Sequence, residues 1–272
     1  MKIYLINKNF FLALVWLALY TAISCIFYFI YVLSLPVIIG SIAVASLITY
    51  YLAKKHVFSF EYLPESIPPK DIPLKCLTAA LALAIIASFL THTTTAITTS
   101  PWLLLPNYIY GLFALFIIST IYIYKRGETR PYWAILAFFI TYSVVSFVYR
   151  LGFGYDPFLH RAAEQHISDH GFISPKTPFY IGQYAIVVGL AKLLPIPLKL
   201  IDIWLVPILS AIIIPISAMI GAKNFVSENK NKFLFSIFVI LAIPLATLIF
   251  TTPNNLANIY LLALILISPA IL

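Results

Sequence analysis

Apolar residues run along this chain in blocks of about twenty, separated by short polar stretches, which is the spacing of membrane-crossing helices. Taking about 20 apolar residues as one crossing, the blocks predict spans near residues 10–32, 35–52, 75–92, 102–124, 132–149, 202–221, 233–250 and 256–272. The first two blocks, Phe10 to Tyr51, would make a single helix of about 63 Å at 1.5 Å per residue, twice the hydrocarbon thickness. They must therefore fold back, and Ser34-Leu35-Pro36 is the expected turn. The first block is too long for the apolar region of a cleaved leader and is followed at once by another, so it reads as an uncleaved signal anchor. The predicted fold class is all-α: a polytopic transmembrane helical bundle of about eight spans.

Composition agrees and adds direction. With 62% apolar residues, 10% charged residues and a mean hydropathy of +1.00, the 272 residues do not describe a soluble domain with one core. Lysines and arginines gather before span one (Lys2, Lys8), after span two (Lys54, Lys55, Lys70, Lys75) and after span four (Lys125, Arg126, Arg130). By the positive-inside rule these segments and the N-terminus are cytoplasmic, in a multi-pass protein of the cell membrane. The segment THTTTAITTSP between spans three and four carries neither residue and is expected outside. The net charge of +8 is spread over several loops, which points to anionic membrane lipids as partners and to no nucleic acid. Cys25 and Cys76 lie in or beside apolar spans and are expected to pack as small hydrophobes. The proline-rich segment FEYLPESIPPKDIPLK is expected to be a cytoplasmic linker without regular structure.

The segment YIGQYAIVVGLAKLL at 180–194 decides the later topology. If it crossed, Lys223, Lys230 and Lys232 would be stranded outside; if it does not, every basic loop obeys the rule. It is also short and carries Gly182, Gly189 and Lys192, so it is expected to lie in the interface or to re-enter the protein. The external loop then runs from 150 to about 201, and the turn TTPNN at 251–255 is external too.

Polar chemistry concentrates at the start of that loop, in RLGFGYDPFLHRAAEQHISDHGFISPKTPFY at 150–180. Three of the chain's nine acidic residues (Asp156, Glu164, Asp169) and three of its five histidines (His160, His166, His170) fall there. Ionisable groups are costly near a membrane, so such clustering marks a functional region. Asp156 followed by Pro157 looks like a helix start and Gly171 like a left-handed cap, predicting a helix over 157–170. On it Asp156, His160 and Glu164 recur every four residues and share one face, while Phe158, Leu159, Ala162, Ala163 and Ile167 are expected to pack. Asp156 is either a helix N-cap or a reactive group. Arg161 is either a snorkelling residue or an anion binder, and Tyr155, Phe158, Phe172, Phe179 and Tyr180 are interfacial anchors or a sugar platform. His166 and His170, four apart, have the spacing of a zinc pair but lack a third ligand.

Asp156-Pro157-Phe158, Arg161 and the helix-ending Gly171-Phe172 resemble the first external loop of the GT-C superfamily of integral-membrane glycosyltransferases, most of all the catalytic subunit of oligosaccharyltransferase. The similarity extends over roughly 145–260, through the turn Leu194-Pro195-Ile196-Pro197 and a span entered at Asp202-Ile203-Trp204. It implies an aspartate at the external surface that binds a divalent cation, Mg2+ or Mn2+, or the acceptor, in front of a polyprenyl-linked sugar donor. The family carries a second acidic motif in the turn corresponding to 251–255, where this chain has Thr251-Thr252-Pro253-Asn254-Asn255 and no carboxylate. By the same comparison, 1–131 is an N-terminal four-span scaffold and 132–272 the start of a GT-C-like core, part of a longer chain.

Glycosyl transfer from a phosphate-linked donor needs a base or metal ligand for the acceptor and cations for the departing phosphate. Asp156 suits the first role as catalytic residue or metal ligand. Arg150, Arg161, Lys176 and His160 suit the second, with Glu164 beside them on the helix face in the candidate substrate-binding set. The acceptor is unspecified. Two other functions are compatible with the sequence: a transporter or flippase of lipid-linked glycans, and a non-catalytic membrane scaffold.

Overall fold

The computed structural model describes residues 2–55, 71–96, 98–176, 179–225 and 248–268. They form an all-α protein, and the only β pairing among them is an isolated bridge between Thr94 and Tyr149. In chain order the helices are α1 (Lys2–Ile30), α2 (Leu35–Lys54), α3 (Ile72–Thr91), α4 (Tyr108–Lys125), α5 (Tyr132–Val148), α6 (Asp156–His170), α7 (Ile181–Leu193), α8 (Leu198–Phe225) and α9 (Pro253–Ile267). Among the described residues five segments are long and apolar enough to cross a membrane: Lys8–Ile30, Leu35–Lys54, Ile72–Thr91, Tyr108–Lys125 and Leu198–Gly221. Large apolar side chains face outward along the first two, among them Ile26, Ile30 and Leu47. Water would penalise that exposure and hydrocarbon does not, so the chain is a multi-pass membrane protein.

At two boundaries that differ from the periodic reading, proline is the cause. The block at 102–124 is not one helix: a single 3-10 turn, Pro101–Leu103, comes first and α4 starts only at Tyr108. Pro106 has no N–H to give and disfavours helical backbone at Leu105 before it. The last block starts earlier than 256, because Pro253 is well suited to a first helical turn. The span expected at 233–250 lies outside the described residues except for 248–250, and the proline-rich linker lies mostly outside them.

The chain divides into two compact units that are not continuous in sequence. One comprises Met1–Glu65, Gly154–Asp202 and Thr252–Asn254; the other comprises Ser66–Phe153, Ile203–Thr251 and Asn255–Leu272. In the second, Ile85, Phe89, Ile109, Phe116, Ile140 and Val148 form the centre of an apolar core between α3, α4 and α5. Lys75 at the start of α3 reaches Glu128 after α4 at 2.8 Å, and Arg126 lies 3.6 Å from Asp71, so these two helix ends are neighbours. At the other end, Thr94 donates to Val148 O at 2.7 Å and accepts from the Arg150 N–H at 3.2 Å.

In α8, Pro207 lacks the N–H that would bond to Ile203 O four residues back. The Ser146 hydroxyl of α5 donates to that carbonyl at 3.1 Å, and the Val206 N–H donates to Thr251 Oγ1 at 3.2 Å. The carbonyl that Pro207 leaves open is thus taken up by a neighbouring hydroxyl, as a backbone without access to water requires.

In the first unit, α1 and α2 form the expected hairpin, and α7 packs on both. Of the two placements expected for the 180–194 segment, it takes the one inside protein: Gln183, Tyr184, Ala185, Ile186, Val187, Val188 and Gly189 are all buried. The Tyr20 hydroxyl donates to Ala185 O at 3.0 Å. Tyr20 lies ten residues before the end of α1, so α7 is set about 15 Å down that helix. Two glycines make the approach possible. A Cβ on Gly182 would come within 2.7 Å of Thr21 Cγ2, and one on Gly189 would overlap the Tyr20 hydroxyl.

Gly182→Ala and Gly189→Ala are therefore expected to lower stability by about 1–3 kcal/mol each through overpacking. Gly111→Ala in α4, where a Cβ meets nothing within 4 Å, is expected not to. Thermal unfolding of the three variants in detergent checks the contrast.

Candidate functional site

Helix α6 positions the candidate residues, and its ends are set by local chemistry. Gly171 takes φ 85°, the left-handed conformation that glycine adopts without strain, and its N–H closes the last turn on Ile167 O at 2.7 Å. Gly171 O accepts from the Leu33 N–H at 2.7 Å, the Tyr28 hydroxyl accepts from the Ile173 N–H at 3.0 Å, and a Cβ on Gly171 would press on Val32 at 3.1 Å. The exit of α6 is thereby fastened to the α1–α2 turn. At the other end the helix begins at Asp156 itself, with Tyr155 in the capping position and no side-chain cap bond. Asp156 is thus not an N-cap. Its side chain is 70% exposed, and His160 Nε2 lies 3.9 Å from it.

The face that packs is the polar one. Pro157, His160, Glu164 and Ile167 are buried, whereas Phe158 and Leu159, expected to pack, are exposed. Lipid accepts Phe and Leu as readily as a protein core does, so the polar stripe has more to gain from protein partners.

Those partners come from α7 and from the first turn of α8. Arg161 donates through Nε to Asp202 Oδ2 at 2.7 Å, and Asp202 is 1% exposed. Glu164, fully buried, accepts from Gln183 Nε2 at 2.7 Å and has the carboxyl of Asp202 as its neighbour. Burial first, and the negative charge of Asp202 second, push the Glu164 carboxyl up to about 9, so it is neutral at ordinary pH. His160 Nδ1 lies 2.7 Å from the Tyr184 hydroxyl, and its ring meets that of Tyr180 edge-on at 5.0 Å. Burial lowers the His160 pKa, with Asp156 opposing the shift, which favours the neutral imidazole. Tyr180 takes φ 73°, a strained conformation for a bulky residue that costs about 1–3 kcal/mol, and strain of this kind concentrates at functional sites.

The other predicted residues have different surroundings. Lys176 donates to the carbonyls of Tyr28 and Phe29 at 2.9 and 3.3 Å and to that of Tyr31. It caps the carbonyls left open at the end of α1, where a cation also complements the helix dipole. Arg150 belongs to the other unit, where its Nε donates to Thr93 Oγ1 at 3.0 Å. Arg161 also lies under the Phe158 ring, 5.2 Å from its centroid. Near the far end of α6, His166 and His170 stack at 4.4 Å and, with Phe172, Ile173 and Ser174, line a cavity of about 570 Å3. Among the described residues no three His, Cys, Asp or Glu side chains converge as metal ligands. Asp202, Gln183 and Tyr184 were not candidates on sequence grounds. The usable signal was an aspartate at the head of an apolar span, which needs a cationic partner once buried.

Arg161→Ala is expected to destabilise the chain by about 3–5 kcal/mol by stranding buried Asp202. Arg161→Met combined with Asp202→Leu should lose much less, a difference that thermal unfolding in detergent resolves. No protein-family model, curated protein or solved structure matches this chain.

Proposed function

We propose that the chain is a membrane glycosyltransferase that moves a sugar or glycan from a polyprenyl-phosphate-linked donor at the external face of the cell membrane. The supporting observation is Asp156: an exposed carboxylate at the leading end of a helix whose next two turns are held by buried polar contacts. It is presented to solvent on a fixed support, as a base must be.

In this reading Asp156 takes the proton of the acceptor hydroxyl as that oxygen attacks the sugar carbon, and the bond to the donor phosphate breaks. His160, neutral and held by Tyr184, stands beside Asp156 and fixes the local charge. Arg161 and Lys176 already serve protein oxygens, so their role becomes that of holding α6 and the loop after it. The exposed rings of Tyr155, Phe179 and Tyr180 offer apolar faces to a sugar or to lipid headgroups. Alternatively to its role as base, Asp156 would hold a Mg2+ or Mn2+ ion, which would supply positive charge to the departing phosphate.

Transfer of a lipid-linked sugar, assayed in membranes carrying the full chain, is expected to fall about 100-fold or more in Asp156→Ala, with thermal stability close to wild type. Undiminished transfer would remove Asp156 from the reaction. Topology is checked separately. After replacement of Cys25 and Cys76, single cysteines at Lys55 and Asp169 should label with an impermeant reagent from opposite sides of the membrane.

A further inference from the structure

Two buried carboxylate oxygens, Glu164 Oε2 and Asp202 Oδ1, have no hydrogen-bond donor among the described residues, and they belong to neighbouring carboxyl groups that interact directly. The remaining oxygens are accounted for: Glu164 Oε1 accepts from Gln183, and Asp202 Oδ2 accepts from Arg161. Two ionised carboxylates side by side in this buried position would set one guanidinium against two negative charges. One proton resolves both difficulties. Placed on Glu164 Oε2 and donated to Asp202 Oδ1, it gives each orphan oxygen a partner and leaves one cation facing one anion.

We propose that Glu164 and Asp202 form a one-proton site that locks α6 to α7 and to the first turn of α8 when filled, and loosens α6 when emptied. The groups facing Glu164 are Arg161 on its own helix, Gln183 and Tyr184 on α7, and Asp202 on α8. Only Arg161 among them brings positive charge, and it is engaged with Asp202. Removal of the proton therefore creates a buried carboxylate whose nearest charged neighbours are one like charge and one shared cation. Asp156 sits two turns earlier on the same helix, so proton occupancy governs how firmly the exposed carboxylate is presented. The site itself is independent of the glycosyl-transfer reading, since it rests on contacts that exclude Asp156.

The sign follows from proton counts. Closed α6 holds a proton that opened α6 releases above the ordinary carboxylate value of 4.5, so protection declines as pH rises from about 5 to about 9, where the closed state also loses it. One proton allows at most about a tenfold decline per pH unit. The test is hydrogen exchange of α6 amides in the full chain in lipid nanodiscs, comparing wild type with Glu164→Gln at each pH so that intrinsic exchange cancels. Wild-type protection relative to the variant should fall across this window and level off above it. A parallel pH profile in the two proteins would overturn the proposal. Infrared titration of the wild type keeps it falsifiable if the variant does not fold. A protonated carboxyl C=O band must persist at pH 7 and disappear only in the alkaline range, and its absence at pH 7 would equally refute the site.

Discussion

The ion pair between Arg161 and Asp202 is the constraint on which the arrangement of α6 depends. An aspartate at the head of an apolar span has to be neutralised, and Arg161, 41 residues away in sequence, supplies the charge at 2.7 Å. Removing either partner leaves an uncompensated buried charge, so the pair dictates position even where it adds little net stability. Once Arg161 is fixed, the helical period places Glu164 one turn on and His160 beside it, and both must find partners on α7. Gln183 and Tyr184 provide them. The polar side of α6 is therefore solved as one system.

That system explains why α6 is turned opposite to the soluble-protein expectation. A rule that sends Phe158 and Leu159 inward assumes water outside, whereas at a membrane surface the inward position is most valuable to groups that lipid rejects. Much else was legible. The α1–α2 turn, the left-handed cap at Gly171 and the extent of α6 followed from local residues, because proline, glycine and apolar runs act through the backbone of their own segment. The pairing of Glu164 with Gln183, or of Arg161 with Asp202, was not legible, since periodicity gives the face of a helix but not the helix opposite. The break before α4 was available in Pro106, and a pure length count over the apolar run passed over it.

A second device recurs: backbone groups that a helix cannot satisfy are taken up by side chains from elsewhere. Pro207 frees the Ile203 carbonyl for Ser146, the end of α1 is capped by Lys176, and the Val206 N–H finds Thr251. Thr251 is the residue that takes up the last of these groups. Here it is buried and spent on closing a helix, which gives a structural reason for the residue that stands there.

These observations separate two kinds of polar residue that composition alone merges. Glu164, Arg161, Asp202, Gln183, Lys176 and Ser146 face one another or the backbone and are engaged in contacts within the protein. Asp156 does not fit that description. It does not cap α6, it accepts no hydrogen bond from the described residues, and it stands 70% exposed at the end of a helix that is otherwise held by buried partners. Asp156 is exposed while the fold holds its helix in place, and this difference in surroundings is why the proposed function rests on Asp156.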